Sequence, residues 1–222
     1  MKVLDLGVIK YEDALGVQKD LLHKRIEGKI SDTLIICEHP AVVTFGRRSR
    51  EDAVKDREFF SKRGIPFIFT ARGGQNTYHS PGQIVLYPII DLREKRKSIS
   101  AYIDFLEKTV TNSLIELGVH AYRDIKRRGI WAGSRKIGFI GIALKGWVTF
   151  HGVAVNINND TTPFISMHPC GEEDIKVVSA REIIGGEMDM KHVKTVFAER
   201  FIRDLGKEYG KMCNEAPLVC AR

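Results

Sequence analysis

The chain contains 222 residues, of which 35 are Lys or Arg and 28 are Asp or Glu, giving a formal net charge of +7 at pH 7. Its length suffices to bury a core, and the lack of repeats, low-complexity tracts and Pro/Ser-rich linkers argues against a modular array. The surplus of positive charge favours an acidic partner, whether nucleic acid, an anionic surface or a protein. We predict one domain over residues 1–222, with a C-terminal helical segment from about 186 to 222.

Cysteine usage and hydropathy predict the compartment. No apolar run is long enough to cross a bilayer, and Asp5 stands where a secretory signal needs an apolar stretch. Four cysteines, at positions 37, 170, 213 and 220, are scattered and form no C-x-x-C pair. Such a pattern is typical of reduced thiols rather than a disulfide scaffold. We therefore expect a soluble protein of the cytoplasm.

The N-terminal part of the chain predicts one helix followed by two strands. In "YEDALGVQKDLLHKRI", residues 11–26, apolar side chains recur at helical spacing, and Gly28 follows as a stop signal. The next segment, "TLIICEHPAVVTFGRR" at 33–48, has two β-rich runs separated by His39 and Pro40. This pattern predicts a hairpin or a strand–turn–strand unit.

A glycine-rich segment separates two further predicted strands. These strands are "IPFIFTA" at 65–71 and "IVLYPIIDL" at 84–92, and the residues between them read "RGGQNTYHSPGQ", 72–83. The segment has neither P-loop spacing nor a G-x-G-x-x-G pattern, so it gives no nucleotide-binding signature. A loop that needs positive φ angles is the simplest interpretation.

The remaining elements complete an α+β pattern. A helix is predicted at 100–118 from apolar positions spaced by three and four, and another at 191–210. Between them, "GIWAG", "RKIGFIGIAL" and "WVTFHGVAVNIN" indicate an antiparallel meander, and "SARE" at 179–182 has the form of a capping box. The order helix, strands, helix, strands, helices predicts a mixed or antiparallel sheet with helices packed against it.

Two residues stand out as candidates for chemistry. Lys136 begins an apolar strand, where most lysines extend to solvent, although a desolvated lysine is commonly catalytic. Cys170 lies between Pro169 and Gly171 in a loop-like stretch, where its thiol could be reachable. Cys37, inside the apolar run "LIICE", instead has the sequence context of a buried, inert thiol.

Four motifs in order resemble those of the lipoyl(octanoyl) transferase family. They are "ARGGQNTYHSPGQIVLYPIIDL", "GIWAGSRKIGFIGIAL", "WVTFHGVAVNINND" and "HPCG", and weaker similarity in "YEDAL" and "EHPAVVTFGRR" extends the match to roughly residues 11–180. The resemblance implies the α+β fold of the biotin and lipoate protein ligases. It also implies transfer of an octanoyl or lipoyl group from acyl carrier protein to a lysine of a lipoyl domain, without ATP, cofactor or metal. The implied acceptors are the E2 subunits of 2-oxoacid dehydrogenases and the glycine cleavage H protein, with no nucleic-acid or membrane partner.

The same resemblance assigns roles to individual positions. Cys170 would carry the acyl group as a thioester, and Lys136 would lower the pKa of its thiol. The implied acyl site comprises Arg72, Gly73, Gly74, Gln75, Asn76, Thr77, Tyr78, His79, Phe139, Ile140, Gly141, Gly152, Val153 and Ala154. The sequence departs from the family at Ser80, where glycine is usual, and at Asn76, where an aliphatic residue is usual.

The glycines and the histidines of these motifs are interpreted from their chemistry. The clustered glycines, among them Gly73, Gly74, Gly82 and Gly152, are interpreted as letting an acyl chain lie against bare backbone. For His79 and His151 two interpretations stand side by side: they line the pocket, or they are core histidines bonded to backbone.

Three alternative functions remain. An ATP-dependent lipoate or biotin ligase of the same fold would need an adenylate-binding loop and no Cys170. A basic RNA-binding module would fit the charge, but the chain has no RNP-like strand, helix-turn-helix or arginine-rich tract. A metal site would draw on Cys37, His39, His168 and Cys170, whose C-x-H and H-x-C spacings differ from those of common zinc sites.

Overall fold

The computed structural model describes residues 1–50, 53–95, 98–124, 126–168, 175–209 and 219–220. The strands in chain order are β1 (Lys2–Val8), β2 (Thr33–Glu38), β3 (Val42–Phe45), β4 (Phe67–Phe69), β5 (Asn76–His79), β6 (Gln83–Ile89), β7 (Tyr122–Arg123), β8 (Ile130–Ala132), β9 (Arg135–Lys145), β10 (Val148–Asn156) and β11 (Val219–Cys220). The helices are α1 (Tyr11–Ile26), α2 (Arg57–Ser61), α3 (Leu92–Lys95), α4 (Ile99–Glu116), α5 (Ala180–Ile184) and α6 (Met190–Tyr209), with a 3-10 helix at Thr162–Ser166.

Two sheets organise the described residues. An eight-stranded sheet has the order β11-β1-β2-β6-β10-β9-β8-β7, and a three-stranded sheet has the order β4-β3-β5. The pairs β1–β2 and β1–β11 are parallel, whereas the other pairs of the large sheet are antiparallel. This mixed sheet with packed helices confirms the predicted α+β class.

Both faces of the large sheet are covered, which explains its uninterrupted apolar strands. Successive side chains of a strand point to opposite faces. On β2, Leu34 and Ile36 accordingly pack in the core cluster of α4 and α6, whereas Ile35 and Cys37 pack in the cluster of α1. A strand buried on both faces needs apolar side chains on both, and the uninterrupted run "LIIC" at 34–37 meets that need.

The helices and the meander follow the sequence pattern. Helices α1, α4 and α6 lie where they were predicted, and β8, β9 and β10 form the predicted antiparallel meander. The capping box is also present: the Ser179 hydroxyl accepts a hydrogen bond from the Glu182 backbone, and the Glu182 side chain accepts one from the Ser179 backbone. Beyond α6, which ends at Tyr209, Val219–Cys220 pair with β1 as a short parallel strand.

Three local features differ from the sequence expectations, add to them or decide between them. Residues 72–83 are not wholly a loop, because β5 lies within them and pairs antiparallel with β3, joining Val42 to His79. Strand β1 was not predicted, although it pairs in parallel with β2. The 33–48 segment is a strand–turn–strand unit and not a hairpin, because β2 and β3 belong to different sheets.

Within the described part of the chain, the helices are too short or too polar to cross a membrane.

Candidate active site

A cavity of about 320 Å³ lies where the small sheet meets the large one. Strand β5 and the residues before it form one wall, strands β6, β9 and β10 form another, and α1 contributes its first residue. The lining residues are Tyr11, Arg48, Arg72, Gly74, Gln75, Asn76, Thr77, His79, Val85, Tyr87, Arg128, Lys136, Phe139, Ile140, Gly141, His151, Gly152, Val153 and Ala154.

The fold brings most of the sequence-predicted site residues to this cavity. Two of them lie elsewhere: Tyr78 packs in an apolar cluster with Phe60 and Phe164, and Gly73 donates its backbone N–H to the carbonyl of Ile142 at 2.8 Å. Sequence reasoning did not name five lining residues, namely Tyr11, Arg48, Val85, Tyr87 and Arg128. The buried face of α1 was the available signal for Tyr11, since that helix begins at this residue.

Three glycines near the cavity, Gly82, Gly141 and Gly152, make room for neighbouring protein atoms. A Cβ on Gly152 would lie 2.1 Å from the Leu86 carbonyl oxygen, and one on Gly82 would lie 2.7 Å from the Asn159 nitrogen. On Gly141 it would lie 3.0 Å from both the Gly73 carbonyl oxygen and the Arg72 side chain. These glycines therefore allow neighbouring segments to approach closely, and the walls of the cavity are built by that approach.

Arg72 holds the wall that carries the glycine-rich segment. Its guanidinium donates hydrogen bonds to the backbone carbonyl of Thr44 at 2.8 Å, to the Thr44 hydroxyl at 2.9 Å and to the Gly73 carbonyl at 3.2 Å. The residue is buried and links β3 to the segment before β5. Its fixed geometry gives this wall a defined position relative to β9.

Three histidines and two tyrosines, Tyr11, His39, His79, Tyr87 and His151, form a buried histidine–tyrosine cluster beside the cavity. His39 donates from Nδ1 to the Ile9 carbonyl at 2.7 Å, so its Nε2 accepts the hydroxyl proton of Tyr87 at 2.7 Å. His79 Nδ1 lies 2.7 Å from Gln83 Oε1 and donates to it.

His151 has the most constrained position in this cluster. Its φ is +54°, in the left-handed region that favours glycine, and its backbone N–H donates to Gln18 Oε1 at 2.8 Å. Its Nδ1 lies 3.4 Å from the Tyr11 hydroxyl, and among the described residues its buried Nε2 has no hydrogen-bond partner. His79 and His151 thus both line the cavity, and their ring contacts are to side chains, not to backbone carbonyls.

Burial keeps the histidine–tyrosine cluster uncharged at neutral pH. Desolvation lowers the pKa of His151 to about 3, with a further contribution from the Arg72 charge. It also lowers the pKa of His39, and it lowers that of His79 well below its usual range. The pKa of Tyr11 rises to about 12 for the same reason. The rings of this cluster therefore bring no charge to the cavity, whose charged lining residues are Arg48, Arg72, Arg128 and Lys136.

Lys136 is buried at the start of β9 and does not extend to solvent. Its side chain is 2% exposed, its ammonium donates to the Arg128 carbonyl at 2.9 Å, and Nζ lies 5.5 Å from the Phe139 ring centroid. Its backbone N–H donates to the Lys176 carbonyl at 2.8 Å, and its carbonyl accepts from Val178 at 3.0 Å. The surface interpretation of this lysine is wrong, because the residue is buried and lines the cavity.

Cys170 lies outside the described residues, within the segment 169–174. The described residues on both sides of that segment are attached to the cavity walls. His168 donates its backbone N–H to the Ala53 carbonyl at 2.9 Å, and Val177 pairs with Lys136 as a parallel bridge. Cys37 is fully buried, and desolvation raises the pKa of its thiol, in agreement with an inert role.

Asn76, one of the departures from the family pattern, has a structural contact. Its Nδ2 donates to the same Ala53 carbonyl that accepts from His168, at 2.9 Å. The described part of the chain has no group of three or more His, Cys, Asp or Glu side chains arranged to hold a metal ion.

Comparison with known proteins gives consistent matches. The profile described as the lipoyl protein ligase A/B catalytic domain matches residues 10–202. Over 212 residues the chain is 38% identical to the octanoyltransferase of Caldicellulosiruptor saccharolyticus, covering 94% of this chain and 90% of that protein.

Solved structures match at the level of the fold. A bi-partite lipoate protein ligase studied with its E2 lipoyl domain, from Thermoplasma acidophilum, has a TM-score of 0.73 at 14% identity, covering 100% of this chain and 87% of that one. The biotin protein ligase of Aquifex aeolicus in complex with biotin and ATP has a TM-score of 0.60 at 15% identity, covering 95% and 72%.

Proposed function

Because the chain belongs to the lipoyl protein ligase A/B catalytic domain family, we propose that it is an octanoyltransferase of protein lipoylation. The observation that carries this proposal is the 38% identity to a named octanoyltransferase, which extends over nearly the whole of both chains. The donor is octanoyl-acyl carrier protein, and the acceptor is a lysine of a lipoyl domain. The whole chain acts as one catalytic domain in the cytoplasm, where thiols stay reduced.

The cavity supports an acyl substrate. Val85, Phe139, Ile140 and Val153 supply apolar lining, and the histidine–tyrosine cluster adds neutral polar groups that are largely bonded to one another or to backbone. This apolar and uncharged part of the lining favours contact with a hydrocarbon chain. We place the octanoyl chain in this cavity, with its carbonyl towards Lys136.

Cys170 is the nucleophile of the proposed reaction. Its thiolate attacks the donor carbonyl and forms a new thioester, while the carrier sulfur leaves and takes a proton from the Lys136 ammonium. The neutral amine of the acceptor lysine then attacks this acyl-enzyme, the bond to Cys170 breaks, and Lys136 takes the proton released by the amine. Thioester exchange is nearly balanced in free energy and amide formation is downhill, so ATP is not consumed.

Lys136 suits both steps because it is a buried cation. An ammonium beside a thiol favours the thiolate, which is the reactive form of cysteine. The main-chain bridge between Lys136 and Val177 joins this lysine to the segment that follows Cys170 in the sequence. This link supports, at the level of chain connectivity, the pairing of the two residues.

The acceptors we propose are the lipoyl domains of 2-oxoacid dehydrogenase E2 subunits and the glycine cleavage H protein. The Thermoplasma ligase, which has the same fold, was studied with an E2 lipoyl domain. An octanoyltransferase and a ligase would modify the same kind of lysine, and they differ in the source of the acyl group.

Intact-protein mass spectrometry tests the proposal. The protein is mixed with octanoyl-acyl carrier protein without nucleotide, and separately with octanoate and ATP. We expect an added octanoyl mass in the first mixture, and its transfer to a lipoyl domain supplied afterwards. Acylation of that domain only in the mixture with octanoate and ATP would replace the transferase proposal with a ligase.

A further inference from the structure

The cationic groups that line the cavity differ in how they are bonded. Among the described residues they are Arg48, Arg72, Arg128 and Lys136. Arg72 donates to Thr44, Lys136 donates to the backbone of Arg128, and the Arg128 side chain pairs with Glu107 at 3.1 Å.

Arg48 stands apart from these three. Its side chain is exposed, and the described residues offer its guanidinium neither a carboxylate nor another hydrogen-bond acceptor. Arg47, next to it, is also exposed and has no ion-pair partner in the same part of the structure. Two neighbouring guanidinium groups, one of them on the cavity-lining residue Arg48, are thus exposed and available to an anion.

The backbone that carries these arginines is held in place. Arg47 donates its N–H to the Arg72 carbonyl at 3.0 Å, and Arg48 donates its N–H to the Gly74 carbonyl at 3.1 Å. Gly46 packs so tightly that a Cβ there would lie 2.5 Å from the Gly74 oxygen. The base of both side chains is therefore fixed on the wall formed by residues 72–75, while the charged ends face solvent.

We propose that Arg48, assisted by Arg47, is a subsite for the phosphate of the pantetheine arm that carries the octanoyl thioester. This inference rests on the proposed function, in which the acyl group arrives as a thioester of a phosphopantetheine arm. Guanidinium groups bind phosphate through paired, charge-assisted hydrogen bonds. Arg72 and Lys136, the buried cations of the cavity, already donate to protein groups, whereas Arg47 and Arg48 are exposed. We therefore expect the phosphate at the exposed end and the acyl chain against the apolar lining.

Small donors isolate this contact from any contact with the carrier protein. Octanoyl-4′-phosphopantetheine and octanoyl-pantetheine differ only in the phosphate, and kcat/KM is measured for each with a lipoyl domain as acceptor. For the wild type we expect the phosphorylated donor to be preferred by about 10-fold or more, the usual scale of a charged hydrogen bond. In Arg48→Gln that preference ratio falls to near 1, and Arg47→Gln reduces it partly.

Lys108→Gln is the matched control, because it removes one exposed positive charge from α4, away from the cavity lining. It should keep the wild-type preference ratio. Equal use of both donors by the wild type, or an unchanged ratio in Arg48→Gln, would overturn the subsite.

Two further outcomes distinguish failure of the phosphate subsite from failure of the proposed function. If neither donor nor octanoyl-acyl carrier protein acylates the wild type, the proposed function itself fails. If Arg48→Gln impairs only a reaction of octanoate with ATP, the arginine binds an adenylate phosphate and the pantetheine assignment is wrong.

Discussion

Gly129 leaves the space that the side chain of Lys136 occupies. A Cβ at Gly129 would lie 2.6 Å from Lys136 Cε and 3.1 Å from its Nζ, and the φ of Gly129 is +120°, which only glycine adopts readily. The burial of the lysine thus depends on a missing side chain seven positions earlier. A substitution at Gly129 should therefore displace the Lys136 amine while the lysine itself is retained.

Gly129→Ala should displace the Lys136 amine and strain the backbone. We expect a loss of stability on the order of 1–3 kcal/mol, the usual scale for a disfavoured backbone conformation. The acyl-transfer rate should fall by roughly 10- to 100-fold, as small displacements of reacting groups commonly do. Chemical denaturation and single-turnover kinetics measure the two effects. Gly16→Ala is the control: Gly16 lies in α1 with open space around it, so alanine there should stabilise the protein slightly. Wild-type kinetics in Gly129→Ala would contradict the dependence on this space.

Lys136→Met should raise the pKa of the Cys170 thiol. Methionine fills a similar volume and carries no charge, so the cation that we propose beside the thiolate is lost. Alkylation of Cys170 by iodoacetamide at neutral pH should slow by about 10-fold for each pKa unit. Peptide-resolved mass spectrometry follows Cys170 separately from the other cysteines. Lys136→Arg retains a charge but cannot act as a base, so it should load the acyl group better than it transfers it. An unchanged pH profile of alkylation in Lys136→Met would remove the proposed pair.

Cys170→Ala should abolish both covalent acylation and turnover, because no nucleophile remains. Cys37→Ala should leave turnover intact. Since Cys37 is fully buried in the core cluster of α1, its truncation should instead lower the free energy of unfolding by about 1 kcal/mol. The two variants are compared by intact mass after incubation with the donor and by denaturant titration. Turnover that survives in Cys170→Ala would exclude the covalent route.

The buried histidines should make the protein less stable in acid. Burial depresses the folded-state pKa of His151 to about 3, below its ordinary value of 6.5, so the unfolded chain binds the proton more readily. The contribution is fully present above pH 6.5 and is lost as the pH falls from there towards 3. His151→Gln lacks this titration, and its free energy of unfolding should therefore fall less steeply across that window. Parallel slopes for the wild type and the variant, in urea titrations from pH 7.5 to 4, would argue against a neutral buried His151.

The sequence predicted elements that local patterns encode. Helix α4 shows its apolar spacing directly, and the β9–β10 hairpin shows alternating strands around a short turn. Strand β5 was missed because "NTYH" has no apolar run, and its pairing with β3 depends on a residue more than 30 positions away. Local propensity carries no information about such a partner.

The site was less accessible to sequence reasoning for a related reason. Tyr11 and His151 are 140 positions apart and meet only through the packing of α1 on β10. The burial of Lys136 depends on Gly129 and on the bridge to Val177, and neither is visible in the local pattern. The sequence shows that glycines are concentrated here. Only the distances between β9, β10 and their neighbours identify the segments that these glycines allow to approach.

The attachment of His168 to Ala53 and of Val177 to Lys136 has a consequence for the entropy of catalysis. His168 and Val177 are each held by a segment far away in the sequence, so the entropy of bringing these positions together is lost when the chain folds and not when a substrate binds. The anchors lie on different walls, one beside the small sheet and one on the large sheet. Folding the two sheets together therefore fixes both of these positions before any substrate binds, which is the kind of prior ordering that lowers the entropic cost of a reaction.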